Sequence, residues 1–403
     1  MRTLLQINVV ANSGSTGRIA EEIGRLAISK GWKSYIAYGR GEPQSKSELI
    51  RIGSDLDMLC HGVETRLFDN HGLASRHATR AFIKKIELIK PDIIHLHNIH
   101  GYYLNYKILF QYLSQLNIPI VWTLHDCWAF TGHCSHFMYA KCERWEKGCY
   151  HCSLRNDYPS SVLFDRCKQN YIDKKKSFSS LENLTIIPVS DWLDGVLKRS
   201  FLNVYPIHRI YNGINVLDFR YTSDVEQTKE YYGIKEKYVI LGVANNWEMR
   251  KGFEDFLKLR NILSSEFSIV LVGLSKKQMM GLPHGICGIS RTNSTKELSS
   301  IYSMANVYVN LTLEDNFPTT NLEAMACGTP VVTYDTGGSG ESVSEETGTI
   351  IEQGNIQGVK SAVTTICAKD KKSYLLVCRE RVIKHYNKDD RFKEYTELYD
   401  GLI

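Results

Sequence analysis

The sequence contains no run of about 18 apolar residues, the length that a membrane-spanning helix requires. Its first apolar stretch, Leu4–Val10, is short and interrupted by Gln6 and Asn8, so it lacks the form of a signal peptide. The chain also lacks internal repeats, a coiled-coil pattern and low-complexity tracts. These absences exclude fibrous, disordered and membrane-spanning proteins, and we expect a globular protein of the cytoplasm.

A strong charge of either sign is also missing. The chain has 49 Lys and Arg against 44 Asp and Glu, which gives a formal net charge of +5. Such a mild excess fits anionic small ligands or an acidic membrane surface and does not call for nucleic acid. We therefore predict no nucleic-acid partner.

The length of 403 residues exceeds what one hydrophobic core usually serves, so two domains are expected. Short β-branched runs alternate with amphipathic stretches in two series, a pattern that indicates α/β domains with buried parallel strands. The predicted strands are Leu4–Ala11, Ser34–Tyr38, Ile93–His97, Ile120–Leu124 and Ile186–Val189, followed by Val239–Ala244, Ser268–Val272, Gly285–Ser290, Val307–Leu311 and Pro330–Thr333.

The break between the two series lies near 205–216, where Asn212-Gly213 marks a turn. We predict two Rossmann-like, doubly wound domains facing a central cleft at the carboxyl ends of their strands, where ligands bind in this fold class. The predicted boundaries are 1–205 for the first domain, 206–375 for the second, and 376–403 for C-terminal helices along the domain seam.

The most informative segment is Glu314-Asp-Asn-Phe-Pro-Thr-Thr-Asn-Leu-Glu323, an acidic loop that runs into an Ala/Met-rich helix. Thr319, Thr320 and Asn321 would present free backbone N–H groups to a diphosphate. The flanking carboxylates of Asp315 and Glu323 would accept hydrogen bonds from sugar hydroxyls. A nucleotide sugar carries both groups, whereas a bare acidic helix cap is the alternative for an isolated loop of this kind.

A second segment, Val243–Phe253, follows a predicted strand and includes Asn246 and the adjacent cations Arg250 and Lys251. Cations at a helix N-terminus oppose the helix dipole unless an anion compensates them. The pair therefore favours a diphosphate site, with a solvated basic helix start as the alternative.

Three further segments follow predicted strands. Gly14 and Gly17 let the backbone of a strand–loop–helix unit approach a ligand, although a tight turn has the same composition. Ser290 ends another strand, where exposed backbone could read a nucleobase edge or form a plain turn. His125 closes a strand beside Asp126, where an imidazole would suit a reacting or charged oxygen.

Taken in chain order, from Gly14 to Glu323, these segments resemble the motifs of the family 4 retaining glycosyltransferases of GT-B fold. The resemblance covers almost the whole chain. More narrowly, the chain is similar to bacterial exopolysaccharide and capsule glycosyltransferases of the colanic acid type. The resemblance implies that Glu323 contacts the donor ribose, Lys251 and Arg250 the diphosphate, and Asp315 the transferred sugar. His125 would lie near that sugar.

One position departs from the family pattern. The first acidic residue of the motif is usually Glu in the family, whereas this chain has Asp315 with Glu314 beside it. Either side chain could face the sugar.

The implied reaction moves a sugar from a UDP- or GDP-sugar to a saccharide acceptor, which could be lipid-linked, with retention and by front-face attack. We expect no catalytic metal, because cationic side chains can stabilise the leaving diphosphate. A sugar-nucleotide epimerase on the same scaffold is the alternative, and product analysis without acceptor would separate the two. A dinucleotide-dependent oxidoreductase is disfavoured by the incomplete glycine loop, and a non-catalytic binding module would leave the acidic motif unexplained.

A basic, partly apolar segment spans Arg66–Lys85. It suggests peripheral contact with anionic lipid at the inner face of the membrane. A helix with a solvated charged face is the more common structure for such a run.

Four of the 11 cysteines lie within 19 residues, in an insertion at 127–152. Cys134, Cys142, Cys149 and Cys152 have the spacing C-x7-C-x6-C-x2-C, and the final C-x2-C suits tetrahedral zinc. The first spacing is longer than usual, so reduced thiols or disulfides formed on isolation remain alternatives. We predict a structural zinc rather than a catalytic one, in an insertion that shapes the acceptor side.

The zinc prediction can be tested by metal analysis of protein purified without added zinc. We expect about one zinc per chain, with the four thiolates protected from thiol reagents until a chelator is added. Protein that holds no stoichiometric metal while all four thiols react would contradict the zinc site.

Overall fold

The computed structural model describes residues 1–403. The chain divides into two compact units. The N-terminal unit comprises Met1–Ile210 and Phe392–Ile403, and the C-terminal unit comprises Tyr211–Arg391. Each unit contains one parallel six-stranded sheet, as the two series of β-branched runs predict.

The sheet of the N-terminal unit has the strand order β3-β2-β1-β4-β5-β6, with every pair parallel. The central strands are buried on both faces because their residues are almost all apolar. The strands are β1 Thr3–Ile7, β2 Lys33–Tyr38, β3 Glu48–Arg51, β4 Ile93–Leu96, β5 Ile120–Leu124 and β6 Leu184–Pro188.

Six α-helices accompany this sheet, and short 3-10 turns lie at Trp128–Phe130, Arg144–Glu146 and Phe201–Val204. The helices are α1 Gly14–Ser29, α2 Asp55–Phe68, α3 Arg76–Ile89, α4 Tyr106–Leu113, α5 Cys167–Phe178 and α6 Asp191–Arg199.

The sheet of the C-terminal unit repeats the same topology in the order β12-β11-β10-β7-β8-β9, again all parallel. Its strands are β7 Tyr238–Val243, β8 Phe267–Val272, β9 Ile286–Ile289, β10 Val307–Asn310, β11 Val331–Tyr334 and β12 Gly348–Ile351. The remaining helices are α7 Val225–Tyr231, α8 Phe253–Ile262, α9 Lys276–Met280, α10 Thr295–Met304, α11 Thr319–Ala326, α12 Ile356–Cys367, α13 Lys372–Tyr386 and α14 Lys388–Leu402.

The ten predicted strands are all present, but the sequence did not predict β3 and β12. Both are edge strands of four residues with mostly half-buried or exposed side chains. A short edge strand is paired on one side only and need not be apolar throughout, so its sequence carries little periodic signal.

The unit boundary lies between Ile210 and Tyr211, five residues after the predicted one. The C-terminal segment does not form a separate body that begins at residue 376. Helix α13 lies in the C-terminal unit, where Cys378 and Val382 are buried, and α14 enters the N-terminal unit from Phe392 onward. Apolar positions on each helix therefore assign the two helices to different cores.

Three aromatic residues of α14, Phe392, Tyr395 and Tyr399, complete the core of the N-terminal unit. They pack in one cluster with apolar residues of β1, α1, β4 and β5. The hydroxyl of Tyr399 also lies 2.5 Å from Nδ1 of His95 on β4. The last helix is thus a structural part of a domain that begins almost 400 residues earlier.

Helix α3 shows that the segment Arg66–Lys85 is divided between two environments. Leu73 and Phe82 are buried in the core, whereas Arg80 and Lys84 are exposed on the outer face of α3. This helix is the ordinary amphipathic helix with a solvated charged face that the composition favoured.

None of the helices has both the length and the apolar character needed to cross a bilayer.

The packing of Tyr399 predicts a graded loss of stability. Tyr399→Ala should lower the free energy of unfolding by about 3–5 kcal/mol, as for other buried aromatic residues. Tyr399→Phe keeps the ring and removes only the hydrogen bond to His95, so it should cost about 1–3 kcal/mol. Urea unfolding followed by tryptophan fluorescence measures this loss, because Trp32 lies 6.0 Å from the Tyr399 ring. Equal stability of Tyr399→Ala and the parent protein would contradict the assignment of α14 to this core.

Candidate active site

In the C-terminal unit the strand order reverses between β7 and β10, so the loops that follow these two strands start side by side at the carboxyl edge of the sheet. Two hydrogen bonds join these loops. The backbone N–H of Leu313 donates to the carbonyl of Arg250 at 2.7 Å, and the Arg250 guanidinium donates to the carbonyl of Glu314 at 2.8 Å. The basic and the acidic sequence motifs therefore form one site.

At the centre of this site Lys251 Nζ lies 2.5 Å from Asp315 Oδ2. Both side chains are half-buried, so each can be reached from solvent. Glu314, by contrast, is fully buried. Of the two adjacent acidic residues, Asp315 is therefore the one open to a ligand.

Two glycines fix the backbone around this ion pair. Gly252 has φ +75°, and a Cβ there would lie 2.0 Å from the carbonyl oxygen of Leu311. Gly337 has φ +57°, and a Cβ there would lie 2.1 Å from the carbonyl oxygen of Asp315. That carbonyl also accepts a hydrogen bond from Gly338 N–H at 3.0 Å. Both glycines are therefore required for the close approach of the loops.

The loop of Gly337 and Gly338 was not among the predicted site segments. Its signal is visible in the run Gly337-Gly-Ser-Gly340, which begins three residues after β11. A glycine-rich run at the carboxyl end of a parallel strand indicates close backbone approach.

Helix α11 begins at Thr319, directly after the acidic loop. Pro318 stands at its N-cap position and no side chain caps the first turn, so the first N–H groups of the helix remain available to an anion. Asn321 departs from the prediction. Its N–H donates to the carbonyl of Pro318 at 3.2 Å, and its buried side chain bonds to Asn310 and Ser339. Asn321 therefore holds the loop in place, and Thr319 and Thr320 are left to offer N–H groups.

Glu323 lies one turn further along α11 and is half-buried. Its Oε2 accepts a hydrogen bond of 2.9 Å from the hydroxyl of Tyr302, which is itself fully buried on α10. A buried phenol in this position orients the carboxylate. Tyr302 could not be predicted from the sequence, because it belongs to a separate helix and has no motif around it.

Two further predicted site residues are Asn246 and Ser290. Asn246 is exposed and its amide donates to Glu248 at 3.2 Å. Ser290 is exposed at the end of the edge strand β9, two strand spacings or about 10 Å from β7. No hydrogen bond brings either residue to the ion pair, so their predicted roles stay untested.

In the N-terminal unit the strand order reverses between β1 and β4. Gly14 begins α1 with φ +60°, and Gly17 packs against the β1–α1 loop, where a Cβ would lie 3.0 Å from a methyl group of Val10. Gly17 therefore allows close packing of the helix against the loop, and the predicted approach of this backbone to a ligand stays a prediction.

His125 follows β5 and is half-buried. Its Nε2 lies 3.3 Å from Nδ1 of His97, and Nε2 of His97 lies 3.1 Å from the amide oxygen of Gln6. Burial lowers the pKa of His125 to about 4 and that of His97 well below its usual range. Both imidazoles are therefore neutral near pH 7 and act as hydrogen-bonding groups rather than as cations.

A second polar group lies beside them. Nε2 of His100 lies 2.8 Å from Asp126 Oδ2, and Nδ1 of the same ring lies 3.1 Å from the hydroxyl of Tyr158. Burial alone would raise the pKa of Asp126, but the facing His100 holds it below its ordinary value. This carboxylate–imidazole–phenol group connects Asp126, which follows the predicted His125, to His100 and Tyr158. The sequence did not indicate Tyr158.

All four clustered cysteines are free thiols. The N–H of Gly132 donates to Sγ of Cys149 at 3.1 Å, and a hydrogen bond from Cys134 lowers the pKa of Cys152 to about 7. No group of three or more His, Cys, Asp or Glu side chains is placed to hold a metal ion. The zinc site at Cys134, Cys142, Cys149 and Cys152 stays a prediction.

Comparison with known proteins gives a family match within the C-terminal unit. Residues 224–384 match the family of glycosyl transferases group 1. The chain is also similar to the putative colanic acid biosynthesis glycosyl transferase WcaC of Escherichia coli K12, with 24% identity over 99% of this chain and 100% of WcaC.

The fold resembles that of two solved structures. Sucrose-phosphate synthase from Thermosynechococcus elongatus has a TM-score of 0.74 and 18% identity, with 100% of this chain and 99% of that chain covered. HepE from Anabaena in complex with UDP-glucose has a TM-score of 0.69 and 13% identity, with both chains fully covered at 100%. The predicted GT-B fold is confirmed, and residues 224–384 form a glycosyl transferase group 1 domain.

Proposed function

We propose that this protein transfers a sugar from a nucleoside-diphosphate sugar to a saccharide acceptor in polysaccharide biosynthesis, with retention of configuration. The observation that carries the proposal is the pairing of Lys251 with Asp315 at the strand-order reversal of the C-terminal unit, next to the uncapped start of α11. A cation, a carboxylate and free N–H groups in one place match a diphosphate joined to a hydroxyl-rich sugar.

The diphosphate is assigned to Lys251, Arg250 and the first turn of α11. Arg250 is held by the carbonyl of Glu314, which directs a second positive charge to the same loop. The N–H groups of Thr319 and Thr320 add the positive end of the helix dipole. Together these groups stabilise the negative charge that grows on the departing diphosphate, so no metal ion is needed for this step.

The sugar and the nucleoside are assigned to the two carboxylates. Asp315 is open to solvent where Glu314 is buried, which favours Asp315 as the residue that contacts the transferred sugar. Glu323 is assigned to the ribose hydroxyls, with Tyr302 as a positioning residue. The likeness to HepE, whose structure holds UDP-glucose, favours UDP over GDP as the nucleotide.

The proposed chemistry is front-face attack. The bond between the anomeric carbon and the diphosphate oxygen breaks, and the acceptor oxygen bonds to the same face of the sugar. The acceptor proton passes to an oxygen of the leaving phosphate. The enzyme contributes charge stabilisation rather than a nucleophile, because the assigned carboxylates bind hydroxyl groups.

The acceptor is assigned to the N-terminal unit. His125 of this unit is neutral near pH 7 and can hydrogen-bond to a sugar hydroxyl without adding charge. The similarity to WcaC, a putative colanic acid biosynthesis glycosyl transferase, favours a saccharide acceptor of the kind used in polysaccharide assembly. We further propose that this saccharide is linked to a lipid.

The proposal is tested by the thermal stability of the parent protein and Lys251→Ala in UDP, GDP and NAD, with calorimetric titration of any ligand that responds. A nucleotide at 100 times its Kd should stabilise the parent protein by about 2.7 kcal/mol. Lys251→Ala should bind more weakly and lower turnover about 100-fold, as for loss of one preorganised electrostatic donor.

Lys384→Ala is the matched control, because Lys384 is an exposed lysine of α13 in the same unit. It should respond like the parent protein. Stabilisation by NAD alone, or wild-type turnover of Lys251→Ala, would refute the proposed donor site.

The ribose assignment predicts a ranked series. Glu323→Gln should weaken UDP binding by about tenfold to a hundredfold, because a hydrogen bond to a charged group contributes about 1.5–3 kcal/mol. Tyr302→Phe should weaken it by less, since the carboxylate keeps its charge and loses only its orienting hydroxyl. Tyr232→Phe is the control, because Tyr232 makes an equivalent 2.8 Å bond to Glu297 on α10. Unchanged UDP affinity of Glu323→Gln would remove the ribose role.

A further inference from the structure

The outer face of α2 is apolar although it faces solvent. Leu56, Leu59, Val63 and Leu67 recur at helical spacing and are 67%, 64%, 49% and 36% exposed. The face of α2 that points inward carries His61 and Thr65, both fully buried. The helix is thus the reverse of an ordinary amphipathic surface helix, and its apolar stripe indicates a contact with something outside the chain.

A neighbouring loop extends this stripe. Val162, Leu163 and Phe164 are also exposed, and the N–H of Val162 donates to the carbonyl of Arg66 at 2.7 Å. The rings of Phe68 and Phe164 stack with centroids 6.0 Å apart. We call these exposed residues the apolar face, which comprises Leu56, Leu59, Val63, Leu67, Phe68, Val162, Leu163 and Phe164.

The apolar face continues into a group of lysines. A cavity of about 680 Å³ lies between Phe68, Phe164, Ile172 and Lys168. A second cavity of about 570 Å³ shares Ile172 and Lys168 with it and includes three further lysines. We call Lys147, Lys168, Lys175 and Lys176 the lysine cluster; the second cavity has no acidic residue in its lining. Asp165, which lines the first cavity, accepts hydrogen bonds from the N–H groups of Cys152 and Cys167.

We propose that the apolar face and the lysine cluster dock the N-terminal unit on an anionic membrane surface. Aliphatic and aromatic side chains enter the boundary between headgroups and acyl chains, and the adjacent lysines attract the negative lipid surface. The lysines that border the apolar face have no carboxylate partners, which matches a negatively charged lipid surface. A protein–protein interface usually has a polar rim, where we would expect charges of both signs.

The position of α2 links this face to the acceptor. His61, on the inward side of the helix, packs edge-on against Tyr102 with ring centroids 5.8 Å apart, and Tyr102 packs against His71 at 4.9 Å. His71 in turn lies 5.9 Å from His100, the centre of the Asp126–His100–Tyr158 group. Helix α2, about 10 Å across, and one layer of aromatic rings therefore separate the apolar face from the Asp126–His100–Tyr158 group. In this respect the inference rests on the proposed function, since it places a lipid-linked acceptor close to the residues assigned to it.

The test is cosedimentation of the full chain with vesicles of phosphatidylcholine alone or with about a third phosphatidylglycerol. The parent protein should bind the anionic vesicles, and the double variant Leu59→Ser/Val63→Ser should bind at least about tenfold more weakly. Lys175→Gln/Lys176→Gln should lose most of the preference for anionic vesicles and most of the salt dependence. Leu376→Ser, at a leucine that is 64% exposed on α13 of the other unit, is the control and should bind like the parent protein.

Each outcome bears on the proposal separately from the transfer reaction. Parent protein that stays in the supernatant, or double variants that sediment like the parent, would overturn the docking face. A parent dimer that becomes a monomer on Leu59→Ser/Val63→Ser, without vesicle binding, would assign the face to a second copy instead. The UDP stability shift, measured on the same samples, should be unchanged in all variants, so loss of vesicle binding with intact UDP binding leaves the proposed transferase function standing.

Discussion

The structure depends on one topological constraint, the reversal of strand order within each parallel sheet. After β7 the chain adds β8 and β9 on one side of that strand, and then β10, β11 and β12 on its other side. The loops that follow the neighbouring strands β7 and β10 therefore lead in opposite directions. The divergence leaves space at the carboxyl ends of the two strands and points several loops toward it. Lys251 follows β7 and Asp315 follows β10, so the fold alone brings together two residues that are 64 positions apart.

The same constraint explains why the sequence predicts the strands well and their surroundings less well. A central strand is buried on both faces and is therefore almost entirely apolar, as at Leu241 and Val309. Strands β3 and β12 lie at sheet edges, and their residues follow no such rule. The C-terminal helices pose a different problem, because nothing local to Tyr399 shows that its ring belongs to the core of the N-terminal unit.

At the candidate site the sequence predicts which residues are present but not how each is used. The loop motif identified Asp315 and Glu323, and a strand end identified His125, since these residues follow elements with a clear pattern. The structural role of Asn321 was hidden, because its amide is used by Asn310 and by Ser339, which lie elsewhere in the chain. The same applies to Tyr302, whose importance comes from a single bond to Glu323. The apolar stripe of α2 was missed because an outward-facing stripe and an inward-facing one have the same period, and only burial tells them apart.

The ion pair between Lys251 and Asp315 also affects how strongly Lys251 binds simple anions from solution when no substrate is present. A solitary lysine in an open loop would attract chloride or inorganic phosphate. Here such ions compete with a carboxylate that is tethered in place, which acts as a partner at very high effective concentration. A molecule that offers Lys251 a negative charge and Asp315 a hydroxyl group at the same time replaces both halves of the pair together. In the proposed donor site the pair would therefore favour a ligand that carries both a negative charge and a hydroxyl group over simple anions such as chloride.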